Sequence, residues 1–398
     1  MNNRFIQIHF LTSYPSSLLN RDDAGFAKRV PFGGTVRTRV SSQCLKRHWR
    51  TFEGEFSLRE LGDLSIRSRI TFDRFVVEPL VAEGLDRAVV EKATEMVMSE
   101  VLGQSAKAAK KKAAEDAEGS SSIETGQITV LGKPEVDYLR SVVRDLASGA
   151  KSAKDVETRF KETVKESRKQ WKQNLEVIGD AGLDAALFGR MVTSDILARR
   201  DAAVHVAHAM TVHAESSESD YFSAVDDLVR ADAELGSGHI GSTELTSGLF
   251  YGYLVVDVPL LLSNLSGGKA DKADEQTKEV AAKVLRNLVH LVATVSPGAK
   301  LGSTAPYSYA HWVMVEAGKS QPRTLANAFL KAVSERPDLL DNTYQALATY
   351  LDGLDKMYGK STERVFAAIG GSVLEPYMDR KASLAEVASW AAERVRGA

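Results

Sequence analysis

From Lys28 to Arg50 the chain reads KRVPFGGTVRTRVSSQCLKRHWR. Lys28, Arg29, Arg37, Arg39, Lys46, Arg47 and Arg50 share these 23 positions with no acid among them. No other feature constrains the chain as much, because seven like charges resist burial and call for an anionic partner. The formal net charge is only -2. Setting the seven aside leaves 44 basic residues (51 minus 7) against 53 acids. The near-neutral total therefore conceals a cationic patch on an otherwise acidic body, and such a patch usually faces a polyanion.

At 398 residues, with 43% hydrophobic and 26% charged content, the chain reads as a soluble globular protein of about two or three structural units. Its one cysteine, Cys44, excludes an intrachain disulfide and fits a reducing compartment. The opening MNNRFIQIHF lacks the charged and apolar regions of a signal peptide. No apolar stretch approaches the roughly 20 residues that span a bilayer. The expected location is the cytoplasm, with no membrane partner.

Phe5–Leu11 predicts a strand, with Ile6, Ile8 and Phe10 on one face and Gln7 and His9 on the other. TSYPSS then reads as a turn. Thr35–Val40 predicts a second strand, alternating Val36, Thr38 and Val40 with Arg37 and Arg39. Ser41-Ser42 opens a helix that either serine can cap. Leu45, Trp49 and Phe52 form its apolar stripe; Gln43, Lys46, Arg47 and Arg50 fall opposite. That polar face is either solvated or phosphate-binding. The second reading has a sign argument: Lys46 and Arg47 fall within the first turn or so, where the helix dipole is already positive, and a bound phosphate would reverse the repulsion.

Residues 67–197 read as helical, with 3.6-type periodicity over 85–101 and 136–146. Asp155–Leu175 predicts a charged, peripheral helix. The Lys/Ala/Ser-rich segment near 104–126 reads as an exposed insertion. VHVAHAMTVHAE fits a strand or a helix. Beyond it, the polar, turn-rich segments SSESDYFSAVDDL and GSGHIGSTELTSG bracket a short apolar one, which suggests a projecting, hairpin-like arm. LFYGYLVVDVPLL predicts a strand, Thr277–Val295 a helix, and Pro322–Val333 the start of another.

Several patterns are chemically suggestive. GSGHIG (Gly236, Gly238, Gly241) matches a dinucleotide fingerprint but lacks the required strand before and helix after it, so it reads as a flexible loop. His205, His208 and His213 lack the four-residue spacing of a metal-binding helix and read as structural. Asp22-Asp23 can hold Mg2+ for phosphodiester cleavage, or organise its loop and pair with Arg21. Arg190 can hold a phosphate and Met191 can wedge between bases, although a core methionine fits equally well. Tyr221-Phe222, in a polar arm, can stack on a base or dock the arm on its own body.

NRDD, FGG, R.R.SSQ.LKR..R, GRMVTSD, AVHVAHAMTVH, YFSAVDDL, GHIGSTELTSGLFY, PGAK and LANAFLKAV, in this order, resemble the CasC family. CasC is the repeated backbone subunit of type I-E CRISPR Cascade. The resemblance touches most of the chain outside about residues 66–185. It implies an α+β fold: an RRM-like (ferredoxin-like) palm (1–65, 203–214 and 250–398), a helical fingers domain (66–202) and a β-hairpin thumb (215–249). It also implies that copies polymerise head to tail along CRISPR RNA, displace bases at regular intervals and present the rest to target DNA.

Residue by residue, the resemblance assigns RNA binding to Arg21, Lys28, Ser41, Gln43, Lys46, Arg50, Arg190 and Met191. Tyr221, Phe222, His239 and Ile240 match thumb positions near the displaced nucleotide. Implied partners are the large, small and 5′-handle-binding subunits and the repeat endonuclease, with no cofactor, metal or catalytic residue. Two other readings are a metal-dependent ribonuclease using Asp22 or Asp23, as in related type III subunits, and a general single-strand RNA binder.

Overall fold

The computed structural model describes residues 3–103, 123–178, 181–190, 197, 199–225, 237–268, 273–299 and 301–397. It divides into two units. One holds Met1–Ser57, Val204–Pro259 and Lys278–Ala398; the other holds Leu58–Ala203 and Leu260–Thr277. Residues 58–65, 203 and 260–277, expected with the palm, thus belong to the second unit.

Strand β1 (Phe5–Ser17) is followed by β2 (Arg29–Phe32), β3 (Thr35–Val40) and helix α1 (Ser42–Thr51). Next come β4 (Ile66–Ser68), α2 (Arg87–Leu102), β5 (Thr129–Leu131), α3 (Lys133–Ala147), α4 (Ala153–Ile178) and α5 (Leu183–Phe188). The chain continues through β6 (Val204–Val206), β7 (Ala209–Thr211), β8 (Ser217–Val225), β9 (Ser237–Asp257), α6 (Val258–Ser266) and α7 (Glu275–Thr294). Then follow β10 (Trp312–Gly318), α8 (Leu339–Tyr358), β11 (Thr362–Ala368), β12 (Arg380–Lys381) and α9 (Leu384–Arg396).

The first unit is built on one mixed sheet in the order β12-β11-β10-β1-β9-β7-β3-β2, with β6 and β8 also paired to β9. The class is α+β. Strand β1 sits centrally, antiparallel to β10 on one side and β9 on the other. Ile6, Ile8 and Phe10 are buried as their alternation predicts, but so are Gln7 and His9 on the opposite face. That face holds a polar core. Glu316 accepts from Arg364 Nε at 2.8 Å, from both Arg323 terminal nitrogens and from Gln7 Nε2 at 3.2 Å. His9 Nδ1 lies 2.8 Å from the Tyr251 hydroxyl. A central strand covered on both faces must satisfy every such group internally.

Several elements differ from expectation. TSYPSS is not a turn: β1 runs on to Ser17, with a register shift between Tyr14 and Ser17 and Ser16 at φ 37°. The bulge accommodates Pro15, which has no amide to donate. VPLL is not strand. Val258 opens α6, whose second residue is Pro259, where a missing amide costs nothing. Pro322–Val333 contains only a short 3-10 turn, Ala326–Phe329.

Gly33, in the β2–β3 turn, has φ +62°, and a Cβ there would fall 1.5 Å from the Leu330 carbonyl oxygen. Gly33→Ala should therefore cost about 2 kcal/mol or more, since it adds left-handed strain to a backbone clash. A lowered urea midpoint checks this, and an unchanged midpoint refutes the close approach.

The second unit packs α2, α3 and α4 around an apolar core that includes Val90, Val97, Leu139 and Val143, with a small β4–β5 sheet. Helix α4 is less peripheral than its charge suggests, because Val156, Phe160, Trp171 and Leu175 are buried in that core. Most of the Lys/Ala/Ser-rich insertion, residues 104–122, lies outside the described residues. Among the described residues, no helix is long and apolar enough to cross a membrane.

Candidate nucleic-acid interface

The loop after β1 is shaped by Asp22. Its Oδ1 accepts from Ala24 N and Phe26 N, both at 3.0 Å, and its own amide donates to Phe26 O at 2.8 Å. Arg21 and Ala27 close the loop as an isolated bridge, with Arg21 exposed. One oxygen of Asp22 is thus spent on turn construction, as a loop-organising aspartate requires. Lys28 is fixed through its backbone: its amide donates to Asn20 O at 2.9 Å and its carbonyl accepts from Arg39 N at 2.8 Å. The Asn20 side chain in turn accepts from Ser41 N at 2.9 Å, so one asparagine joins this loop to the start of α1.

Helix α1 begins where the serines indicate. Ser41 is the N-cap, and its hydroxyl accepts from Cys44 N at 3.3 Å. Leu45 and Trp49 are buried, Gln43 and Arg47 exposed, Lys46 and Arg50 half-buried. Two expectations change. Ser41, assigned to phosphate, is buried and acts as the cap. Lys46 and Arg47 are the fifth and sixth residues of a helix that starts at Ser42, so they stand beyond the first turn, where the dipole has faded. The helix dipole therefore does not repel these two side chains, and their own charge is what attracts a phosphate.

Arg39, Lys28 and Lys46 act on His208, whose spacing from His205 and His213 marks it as structural. Arg39 Nη1 lies 2.9 Å from His208 Nδ1. The His208 pKa is lowered by partial burial, and further by the positive fields of Arg39, Lys28 and Lys46. Cys44, one turn before His48 on α1, has its thiol pushed up by burial, while Arg47 and Lys28 oppose that shift. Lys28, Arg39, Lys46 and Arg47 therefore act on neighbouring groups and form one concentrated positive field. Such a field attracts phosphate and falls with salt.

Three arginines of the expected site or patch are used differently. Arg37 is fully buried and donates to the carbonyls of Thr211, His213 and Phe329 at 2.9–3.3 Å. It cross-braces the sheet instead of lining a groove. Arg29 is held by Glu215 and Glu244. Arg190, assigned to RNA, is 2% exposed and pairs with buried Glu135 at 2.5 Å. Withdrawing it to meet a phosphate would strand that carboxylate. Met191 lies outside the described residues.

β8 and the first half of β9 form an antiparallel hairpin, with Ser217 opposite Thr246 and Phe222 opposite Gly241. Tyr221 is 66% exposed and Phe222 is 40% exposed. A Cβ on Gly241 would fall 2.4 Å from the Phe222 ring, so that ring lies across the glycine. Phe222 is thus partly committed to the hairpin, while Tyr221 is presented outward. His239 and Ile240 pair through their backbones with Ala224 and Ser223. The described part of GSGHIG is therefore strand instead of flexible loop, and no helix follows it to cradle a dinucleotide.

His213 is structural: it lies 2.7 Å from Ala214 O through Nδ1 and accepts Leu249 N through Nε2 at 3.2 Å. Burial lowers its pKa, which suits a neutral ring with one donor and one acceptor.

The sequence model of the CT1975-like protein family matches residues 6–390. The chain belongs to the CT1975-like family. No curated protein matches it. Among solved structures it resembles a chain of a CRISPR RNA-guided surveillance complex, pre-nicking. The TM-score is 0.76 and the identity 25%, over 98% of this chain and 100% of that one. A second likeness, to a chain of a CRISPR RNA-guided surveillance complex, has a TM-score of 0.56 and 21% identity, over 98% and 99% of the two chains. The second concerns the fold alone.

Proposed function

We propose that this chain is a non-catalytic, cytoplasmic component of a CRISPR surveillance complex, and specifically its guide-RNA-binding backbone subunit, of the type I-E CasC kind. The observation that carries this reading is the end-to-end likeness at TM-score 0.76 to a chain of such a complex. Strand order supports the RRM-like palm: β10, β1, β9 and β7 are neighbours, with α1 after β1 and α7 after β9, as in a βαββαβ sheet. In this reading the helical unit is the fingers and the β8–β9 hairpin the thumb. The field of Lys28, Arg39, Lys46 and Arg47 holds the RNA backbone, while Tyr221 meets a base displaced from the stack. Copies follow one another head to tail along the guide, beside the large, small and 5′-handle-binding subunits and the repeat endonuclease. Base pairing with target DNA reads the sequence.

Co-expression with these subunits and a defined CRISPR RNA should yield a multi-copy complex whose bound RNA shows evenly spaced, chemically reactive bases. Folded, RNA-free monomer sinks the proposal. Affinity that is indifferent to RNA length, with no discrete assembly, turns it into a general single-strand binder.

A further inference from the structure

Arg29 joins two parts of the first unit that the proposed function uses differently. Its Nε donates to Glu215 and its Nη2 to Glu244. The second oxygen of Glu244 accepts from Ala27 N at 2.6 Å. Glu215 is anchored through its own amide, which donates to Val36 O at 2.9 Å. Glu215 lies two residues before β8, and Glu244 sits in β9 opposite Ser219. Both carboxylates therefore stand at the root of the hairpin, and both grip the segment that carries Lys28. The carboxylate side chains are 18% and 10% exposed. That partial burial and the forked geometry make the pairing more directional than an ordinary surface ion pair.

The root of a hairpin is a lever. Tyr221 stands four residues beyond Ser217, or about 13 Å at strand rise. A rotation of about 10° at the root would carry Tyr221 roughly 2 Å, a large fraction of the ~3.4 Å between stacked bases. We propose that Arg29, Glu215 and Glu244 form a positioning latch. It fixes the Tyr221 hairpin relative to the Lys28 loop, and so determines which nucleotide of a bound single strand meets the hairpin. The inference rests on the RNA-binding reading above.

The test is the combined variant Glu215→Gln and Glu244→Gln in the full complex with its guide. Glutamine keeps the shape and can still accept Ala27 N–H, but it removes both charges from the latch. Two quantities are read: RNA affinity, and the reactivity contrast between displaced and stacked bases. The latch predicts opposite movements. Affinity holds or rises, because two negative charges near the cationic field are gone. Contrast falls about fivefold, as loss of roughly 1 kcal/mol of positioning would give. Unchanged contrast overturns the latch. A parallel fall in affinity, contrast and melting temperature also overturns it, since that is mere structural damage. A wild-type complex without periodic reactive bases is a separate outcome: it overturns the guide-backbone reading and removes the latch's role with it.

Discussion

Lys46→Ala combined with Arg50→Ala weakens single-stranded RNA binding roughly fifteenfold at about 0.15 M salt, whatever the RNA sequence. The estimate follows from counterion release. Each phosphate contact on a single strand contributes about 0.7 to the slope of log affinity against log salt, so two contacts flatten it by about 1.4. Lys46 and Arg50 are four residues apart on one face of α1, and alanine favours helix, so the scaffold should survive the change. Filter binding over a salt series measures both quantities, with circular dichroism as the control for folding. An unchanged slope removes α1 from the RNA groove. The effect is one of charge, so it should be shared by unrelated RNA sequences.

The largest expected stability effect lies elsewhere, at the polar core of the sheet. Glu316→Ala should cost roughly 3 kcal/mol, because it takes the shared carboxylate from buried Arg364 and half-buried Arg323. Glu316 is fully buried, and Arg364, itself 1% exposed, donates to it. Arg323 donates to both of its oxygens. Asp355 keeps a bidentate grip on Arg364 at 2.7 Å in the variant, which limits the damage on that side. A drop in the urea midpoint of that size checks the assignment. A loss below about 1 kcal/mol would mean that the arginines find water or other acceptors.

The same core sets a pH dependence. Burial pushes the Glu316 carboxyl up, but His9 and Arg323 outweigh that and hold it well below the usual carboxylate range. The unfolded chain therefore takes up the proton first. This contribution is complete above the ordinary value of 4.5 and is lost as pH falls below it. His9 acts in the same direction: burial lowers its pKa more than Glu316 restores it, so the unfolded imidazole protonates first below 6.5. The melting temperature should hold near neutrality, then decline in two stages below about 6.5 and 4.5. A flat profile from pH 7 to 4 contradicts the neutral His9 and the ionised Glu316.

Local sequence signals identified the elements that depend on near neighbours. The Ser41 cap, the Leu45 and Trp49 stripe of α1, the alternation in Phe5–Leu11 and the periodicity of α2 and α3 are all set within a turn or two of chain, by capping geometry and by which face meets the core. The excess of cations between Lys28 and Arg50 was visible too, because formal charge needs no fold to count. The destination of each cation was not. Arg29 finds carboxylates 186 and 215 residues away, Arg37 a carbonyl 292 residues away, and Arg190 a glutamate 55 residues away. Nothing in the spacing of those partners announces the pairing. Gln7 and His9 share their face of β1 with Leu11, which packs in one buried cluster with Tyr344, Leu347 and Leu351 of α8, so both polar side chains must bond inward. The sequence by itself therefore determined these locally coded elements and the sign of the patch. The tertiary structure alone decided which cations stay near the surface around His208 and which are consumed in holding the sheet together, because desolvation and partner choice depend on chain segments that meet only when folded.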